Sequence, residues 1–244
     1  MSGLRYAIQW LRSLVFIVQM YVVMAIFAVV FLIPMLLHPK GALMAAHGYC
    51  KWITLSARWI INLRIEVRGT PPTDQVVVAA KHQSFLDILI AFGALPWAKF
   101  IMKRILLFAP ILGQYAYRLG CVPVHRGKRG QAIKQMLADV QSGRTPPGQL
   151  VIYPQGTRVP PGVHAPYKIG AGVLYRDLNQ DCVPMAANVG YFWPKRGIYR
   201  RPGVAVIEFL DRIPAGMEIA DFMQKIEAEI EAKSNALLEE AKNG

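Results

Sequence analysis

A chain of 244 residues, 54% of them hydrophobic, with a formal net charge of +13, has room for one large α/β domain and an appendage. Such a charge joined to a mean hydropathy of +0.29 argues against a soluble nucleic-acid binder. It favours a protein seated on an anionic membrane or one handling an anionic substrate. Cys50, Cys121 and Cys182 lie far apart with no C-x-x-C and read as reduced, packed thiols of a cytosolic-facing protein; the five histidines lack metal-ligand spacing, so no metal is expected.

Residues 13–37 are apolar apart from Ser13, Gln19 and Pro34. As a helix this stretch is roughly 37 Å long, enough to cross a bilayer. His38-Pro39-Lys40-Gly41 breaks it. Residues 42–62 are apolar but contain His47, Lys51 and Arg58, which suits an interfacial helix better than a lipid-facing span. Arg5 and Arg12 precede the first helix and basic residues follow it, so charge bias chooses no orientation for a single crossing. A two-helix hairpin dipping into one leaflet, both ends on the cytoplasmic face, satisfies both flanks; a single crossing stays open. The expected division is a membrane-associated helical hairpin over 1–62 and an α/β domain over 63–244.

Residues 63–68 alternate strictly and predict a half-buried strand. Residues 76–80 form a short apolar run, a buried strand. The period then changes: Phe85, Ile88, Leu89 and Phe92 recur at helical spacing, so a helix starts near Ser84. His82 thus sits at a strand-to-helix turn, at the sheet edge where α/β proteins bind ligands. If His82 precedes the helix, Asp87 lies in its first turn and can reach back to the imidazole, holding one tautomer and supporting the protonated form. A blander reading is that Ser84 and Asp87 form a capping box, which leaves His82 unexplained.

Farther on, residues 98–120 are apolar with embedded Lys99, Lys103, Arg104 and Arg118. Residues 121–126 predict a short strand running into Arg126, Lys128 and Arg129, and 131–141 an amphipathic helix. Residues 149–153 predict a buried strand that enters the tight turn Pro154-Gln155-Gly156-Thr157-Arg158. A Pro- and Gly-rich loop follows, then a short helix over 169–178. Residues 182–188 predict a strand whose Pro184 places it at a sheet edge or end; 204–210 predict another. Residues 217–241 predict an amphipathic helix with Ile219, Phe222, Met223, Ile226 and Ile230 on one face and acids on the other. Strands and helices alternate throughout, which predicts a sheet flanked by helices.

Several strand ends now bear polar groups: His82 with Asp87, Arg126, Gly156 with Arg158, and Asn188. With these in place the chain resembles the 1-acylglycerol-3-phosphate acyltransferase family, bacterial type. The resemblance rests on four motifs in order: Lys81-His82-Gln83-Ser84-Phe85-Leu86-Asp87, a His-x4-Asp; Gly120 to Arg126, a strand ending in Arg; Tyr153-Pro154-Gln155-Gly156-Thr157-Arg158; and Val183-Pro184-Met185. It runs from about residue 40 to 210, and the N-terminal two-helix element also resembles what bacterial members have. It implies a glycerolipid acyltransferase-like α/β fold. It further implies an enzyme that moves a fatty acyl group from acyl-CoA or acyl carrier protein to the 2-hydroxyl of 1-acylglycerol 3-phosphate, giving phosphatidic acid.

In that reading His82 is the base and Asp87 orients it. Arg126 and Arg158, helped by Lys103 and Arg104, hold the phosphate; Gln155, Gly156 and Thr157 position substrate or stabilise the oxyanion. Part of 98–117 lines an acyl tunnel. The thioester is a co-substrate, no metal or redox cofactor is implied, and the partners are membrane lipids, lysophosphatidic acid and the acyl carrier at the cytoplasmic face of the inner membrane. One residue departs from the pattern: the third motif normally has Glu where this chain has Gln155, an amide that hydrogen-bonds but is no base.

Other readings stay open on sequence. Arg126 with its neighbours suits a solvated or lipid-contacting patch, Arg158 a surface turn, Asn188 a structural role, and Lys168 a weaker substrate contact. The acceptor could be another lyso-lipid, such as lyso-ornithine lipid. A serine hydrolase would want Gly-x-Ser-x-Gly, which is absent. A non-catalytic membrane-surface lipid-binding protein would leave the His82–Asp87 pair without purpose.

Overall fold

A computed structural model describes residues 3–109, 112–124, 138 and 147–243. Three helices come first: α1 (Gly3–Val30), α2 (Leu32–Leu37) and α3 (Pro39–Ile60). Then follow β1 (Leu63–Arg68), β2 (Val77–Ala80), α4 (Leu86–Ala94), β3 (Ala98–Lys103), a 3-10 turn (Arg104–Phe108), α5 (Leu112–Arg118) and β4 (Val122–Val124). The remainder is β5 (Gln149–Ile152), α6 (Gly170–Leu178), β6 (Cys182–Ala187), α7 (Val189–Phe192), β7 (Gly203–Phe209) and α8 (Ile219–Asn243). Arg126 and the helix expected over 131–141 lie outside the described residues, apart from Ala138.

The strands form one sheet in the order β1-β7-β6-β2-β5-β3-β4. All neighbours are parallel except β6 and β7. The five strands from β6 to β4 therefore end on one edge, and β1 and β7 run the other way. Strand alternation divides β2 between two layers. Val78 and Ala80 pack with α3 and α4 residues such as Ile53, Leu86 and Ile90. Val77 and Ala79 pack with Leu174 of α6 and Phe222, Ile226 and Ile230 of α8. A strand covered on both faces reads as the continuous apolar run seen in the sequence.

Two sequence expectations need correction. Residues 98–103, passed over as an apolar stretch with cations, form strand β3, and Lys99 within it is buried. Pro184 sits inside the sheet, between β7 and β2, rather than at an edge or end. It is tolerated because its nitrogen faces β7, whose paired register with β6 begins only at Met185; Pro184 contributes its carbonyl, accepting from the Leu210 N–H at 2.9 Å.

The N-terminal helices are part of this architecture. His38 ends α2 and caps α3, its Nδ1 accepting from the Lys40 N–H at 3.0 Å, with Pro39 in the first turn where a missing N–H costs nothing. The inner face of α3 (Ile53, Ala57) joins one core with Ile61, Leu63, Leu86 and Ile90, so packing runs straight across residue 62. Helix α1 buries Phe16 and Met20, while Val15, Val18, Val22, Ile26 and Val29 are exposed. Among the described residues it is the one helix long and apolar enough to cross a membrane. Its first turns are polar where they dock. Gln9 Nε2 donates to the Ile61 and Arg200 carbonyls at 3.0 and 2.9 Å, and Ser13 Oγ accepts from the Arg200 N–H at 2.9 Å.

Candidate active site

Strand β2 ends at Ala80, and Lys81 still donates its N–H to the Met185 carbonyl at 2.8 Å. The chain then turns, and α4 begins at Leu86. His82 Nδ1 lies 2.9 Å from Asp87 Oδ1. The other carboxylate oxygen accepts from the Gln83 and Ser84 N–H groups at 2.8 and 2.7 Å, and Ser84 Oγ accepts from the Leu86 N–H at 3.1 Å. The two contacts expected of Asp87 are both present: one carboxylate oxygen bonds N–H groups just ahead of the helix, in the manner of a capping box, and the other lies against the imidazole.

Because a carboxylate only accepts, Nδ1 is the donor, and in the neutral imidazole the lone pair is then on Nε2. The Asp87 side chain is fully buried, and that of His82 is 15% exposed. The imidazole is also held flat. Its ring stacks on Tyr153 at 4.0 Å between centroids, 21° from parallel, and Tyr153 in turn stacks on Phe100 at 6.3 Å. Burial, and then the Asp87 charge, push the Tyr153 phenol well above its ordinary range. Its hydroxyl is buried beside the Asp87 carboxylate, outside close hydrogen-bond geometry.

Tyr153 follows β5, the neighbour of β2, so the third motif emerges beside His82. Gly156 turns the chain at φ +68°, in the left-handed region that glycine adopts without strain, and its N–H donates to the Tyr153 carbonyl at 2.8 Å. Val159 N–H then donates to the His82 carbonyl at 2.8 Å, which clasps the turn to the histidine. These bonds occupy the Gly156 and Val159 N–H groups. The Thr157 and Arg158 N–H groups have no partner among the described residues, nor does the half-buried Arg158 guanidinium. The Lys168 ammonium lies over this turn, where a Cβ on Gly156 would come within 2.6 Å of it.

The expected site residues divide as follows. His82, Asp87, Gly156, Thr157 and Arg158 come together. Lys103 ends β3 and Arg104, exposed, begins the 3-10 turn on the same edge. The Gln155 amide points into the α8 layer, donating to the Ala165 carbonyl at 3.1 Å and to Glu231 Oε1 at 3.3 Å. Asn188 is structural, its Nδ2 donating to the Leu237 carbonyl at 3.1 Å and its Oδ1 accepting from the Val206 N–H at 2.7 Å. Sequence reasoning missed the Tyr153 stack, although the aromatic was part of the motif, and missed Glu231 altogether. The three cysteines are buried, and the described residues hold no cluster of metal-ligating side chains.

The chain is similar to known proteins. A 1-acyl-sn-glycerol-3-phosphate acyltransferase of Pseudomonas aeruginosa is 27% identical over 187 residues, covering 74% of this chain and 73% of that one. The alpha form of 1-acyl-sn-glycerol-3-phosphate acyltransferase from Mus musculus is 31% identical over 164 residues, 65% of this chain and 58% of its own length. Among solved structures, the 1-acyl-sn-glycerophosphate (LPA) acyltransferase PlsC from Thermotoga maritima has the same fold, with a TM-score of 0.79 at 18% identity over 96% of this chain and 98% of that one. Residues 64–188, from β1 to just past β6, match the Acyltransferase family model, and with the His82–Asp87 pair in place at its centre the chain belongs to that family of acyl-transferring enzymes.

Proposed function

We propose that this chain acylates the 2-hydroxyl of 1-acylglycerol 3-phosphate at a membrane surface, giving phosphatidic acid. The observation that supports this best is the His82–Asp87 pair at the turn after β2, on the edge that also carries the Arg158 turn after β5. The acceptor hydroxyl gives its proton to His82 Nε2 as its oxygen attacks the thioester carbonyl carbon. Asp87 stabilises the imidazolium that forms. The tetrahedral oxyanion then collapses, the C–S bond breaks, and the thiolate takes the proton from the imidazolium and leaves as the thiol of coenzyme A or acyl carrier protein. No acyl-enzyme intermediate is needed, because the hydroxyl attacks directly.

The free N–H groups of Thr157 and Arg158 are the donors this turn offers to the oxyanion. Arg158 supplies charge for the acceptor phosphate, with Arg126, Lys103 and Arg104 as further cations. The names of the Pseudomonas and mouse relatives support lysophosphatidic acid as the acceptor. The exposed apolar face of α1 supports membrane seating, and the reading places the chain at the inner membrane as a hairpin with both basic flanks and the active site on the cytoplasmic side.

The test is turnover by purified protein given lysophosphatidic acid and a long-chain acyl thioester, with neutral lyso-lipids and lyso-ornithine lipid as parallel acceptors and product read by mass. His82→Ala should lower turnover by roughly 10²-fold or more, the scale of lost general-base catalysis. Turnover near wild type would reject the base. Preference for an acceptor without phosphate would move the reading to another lyso-lipid.

A further inference from the structure

On the face of the sheet opposite the His82–Asp87 pair, two motif residues meet a residue that lies outside every motif. Lys81, immediately before His82, continues the alternation of Val77 and Ala79 into the α8 layer and is 2% exposed. Its Nζ lies 2.5 and 2.7 Å from the two carboxylate oxygens of Glu231, on α8. Gln155, 4% exposed, donates its amide to Glu231 Oε1 at 3.3 Å, and the Tyr167 hydroxyl donates to the same oxygen at 3.0 Å. Burial and the adjacent Glu231 hold the Tyr167 phenol well above its ordinary range, so it stays a donor. An ammonium this deeply buried requires a counter-charge. The third motif ordinarily brings a glutamate, and here it brings Gln155, which has none.

We propose that Glu231 supplies from the C-terminal helix the carboxylate that the motif's usual glutamate would bring, and that it positions Lys81, and through it His82, from behind the sheet. Gln155 and Glu231 are in this account a single relocated charge. A glutamate at 155 would set a second carboxylate beside Glu231, where two like charges cannot both ionise around one ammonium. Each residue therefore makes sense only with the other. The Glu231 carboxylate also ties three stretches together: the turn before His82, the turn before Gly156, and the Tyr167–Lys168 segment whose ammonium covers that glycine.

The inference rests on the acyltransferase reading for its kinetic arm, and a double-mutant cycle separates the two. Glu231→Gln, Gln155→Glu and the double variant are purified as full chains and compared with wild type for steady-state kcat and KM with lysophosphatidic acid, well below their unfolding temperatures, and for Tm. Glu231→Gln should lower kcat about tenfold to a hundredfold, the range for a misplaced catalytic group, with the acceptor KM little changed. Gln155→Glu alone should also lose activity. The double variant, with its carboxylate moved back to 155, should recover most of the loss in both kcat and Tm. A double variant no better than the worse single, or a folded Glu231→Gln with wild-type kcat, would overturn the proposal. A wild-type protein inert on lysophosphatidic acid would sink the acceptor reading instead, while recovery of Tm in the double variant would still decide the relocated charge.

Discussion

At the scale of single residues, the sequence marks groups that face one another along a few residues of chain and hides those that meet across the sheet. His82 and Asp87 were legible because a five-residue spacing across a strand-to-helix turn permits one geometry, and that geometry is found. Tyr153 and Glu231 were not. The stack of Tyr153 under His82 depends on β5 lying next to β2, which no local pattern announces. Glu231 belongs to the acidic side of an amphipathic helix and looks solvated until Lys81 is placed opposite it. The Tyr153 hydroxyl offers a test. The phenol lies beside the Asp87 carboxylate without close hydrogen-bond geometry, so Tyr153→Phe, which keeps the ring stack, should keep kcat and leave Tm little changed. Tyr153→Ala, which removes the plate beneath the imidazole, should lower kcat. A fall in Tm for Tyr153→Phe would show that the hydroxyl has a partner after all.

At the scale of elements, periodicity located β1, β2, β5, β6 and β7 within a residue or two. It failed at β3 because Lys99 and Lys103 interrupt the apolar run, although Lys99 is buried in the folded chain. It also misjudged β6, since a proline is excluded from a sheet interior only where the strand its nitrogen faces needs that N–H, and β7 does not pair with β6 at Pro184. Strand order and the reversal between β6 and β7 are tertiary facts with no local signature. Helix α1 shows the same limit. Its apolar run was plain, but the polar residues ahead of that run are what fasten it. Gln9 alone donates to two backbone carbonyls 139 residues apart in the chain, those of Ile61 and Arg200. Gln9→Ala would leave both buried carbonyls unpaired and should destabilise the protein by about 1–3 kcal/mol, read as a lower Tm in detergent. An unchanged Tm would mean that the α1 dock adds nothing to the fold.

For the molecule as a whole, the N-terminal helices and the layer that holds the His82–Asp87 pair share one core. The core that holds Asp87 in place continues through Ile53 and Ala57 of α3 to Phe16 of α1. Removing the first helix would therefore bare a core surface as well as a lipid contact, and membrane seating is better tested on its outer face. Val18 and Val22 are both more than half exposed there. Changing both to Asp places charge where a bilayer penalises it by about 2.5–3.5 kcal/mol per residue at mid-depth. The variant should shift toward the soluble fraction in vesicle flotation while keeping turnover on micellar substrate. Flotation equal to wild type would put the lipid contact elsewhere on the molecule.

The dock between α1 and the loop around Arg200 has one more implication. Phe16 meets Trp193 edge-on at 5.5 Å, and Trp193 meets Phe85, the residue just ahead of α4, at 6.5 Å. Among the described residues these ring contacts join α1 directly to the start of α4. In the proposed membrane-seated enzyme the height of the imidazole is then set by α1, and the acceptor has to bring its headgroup to it.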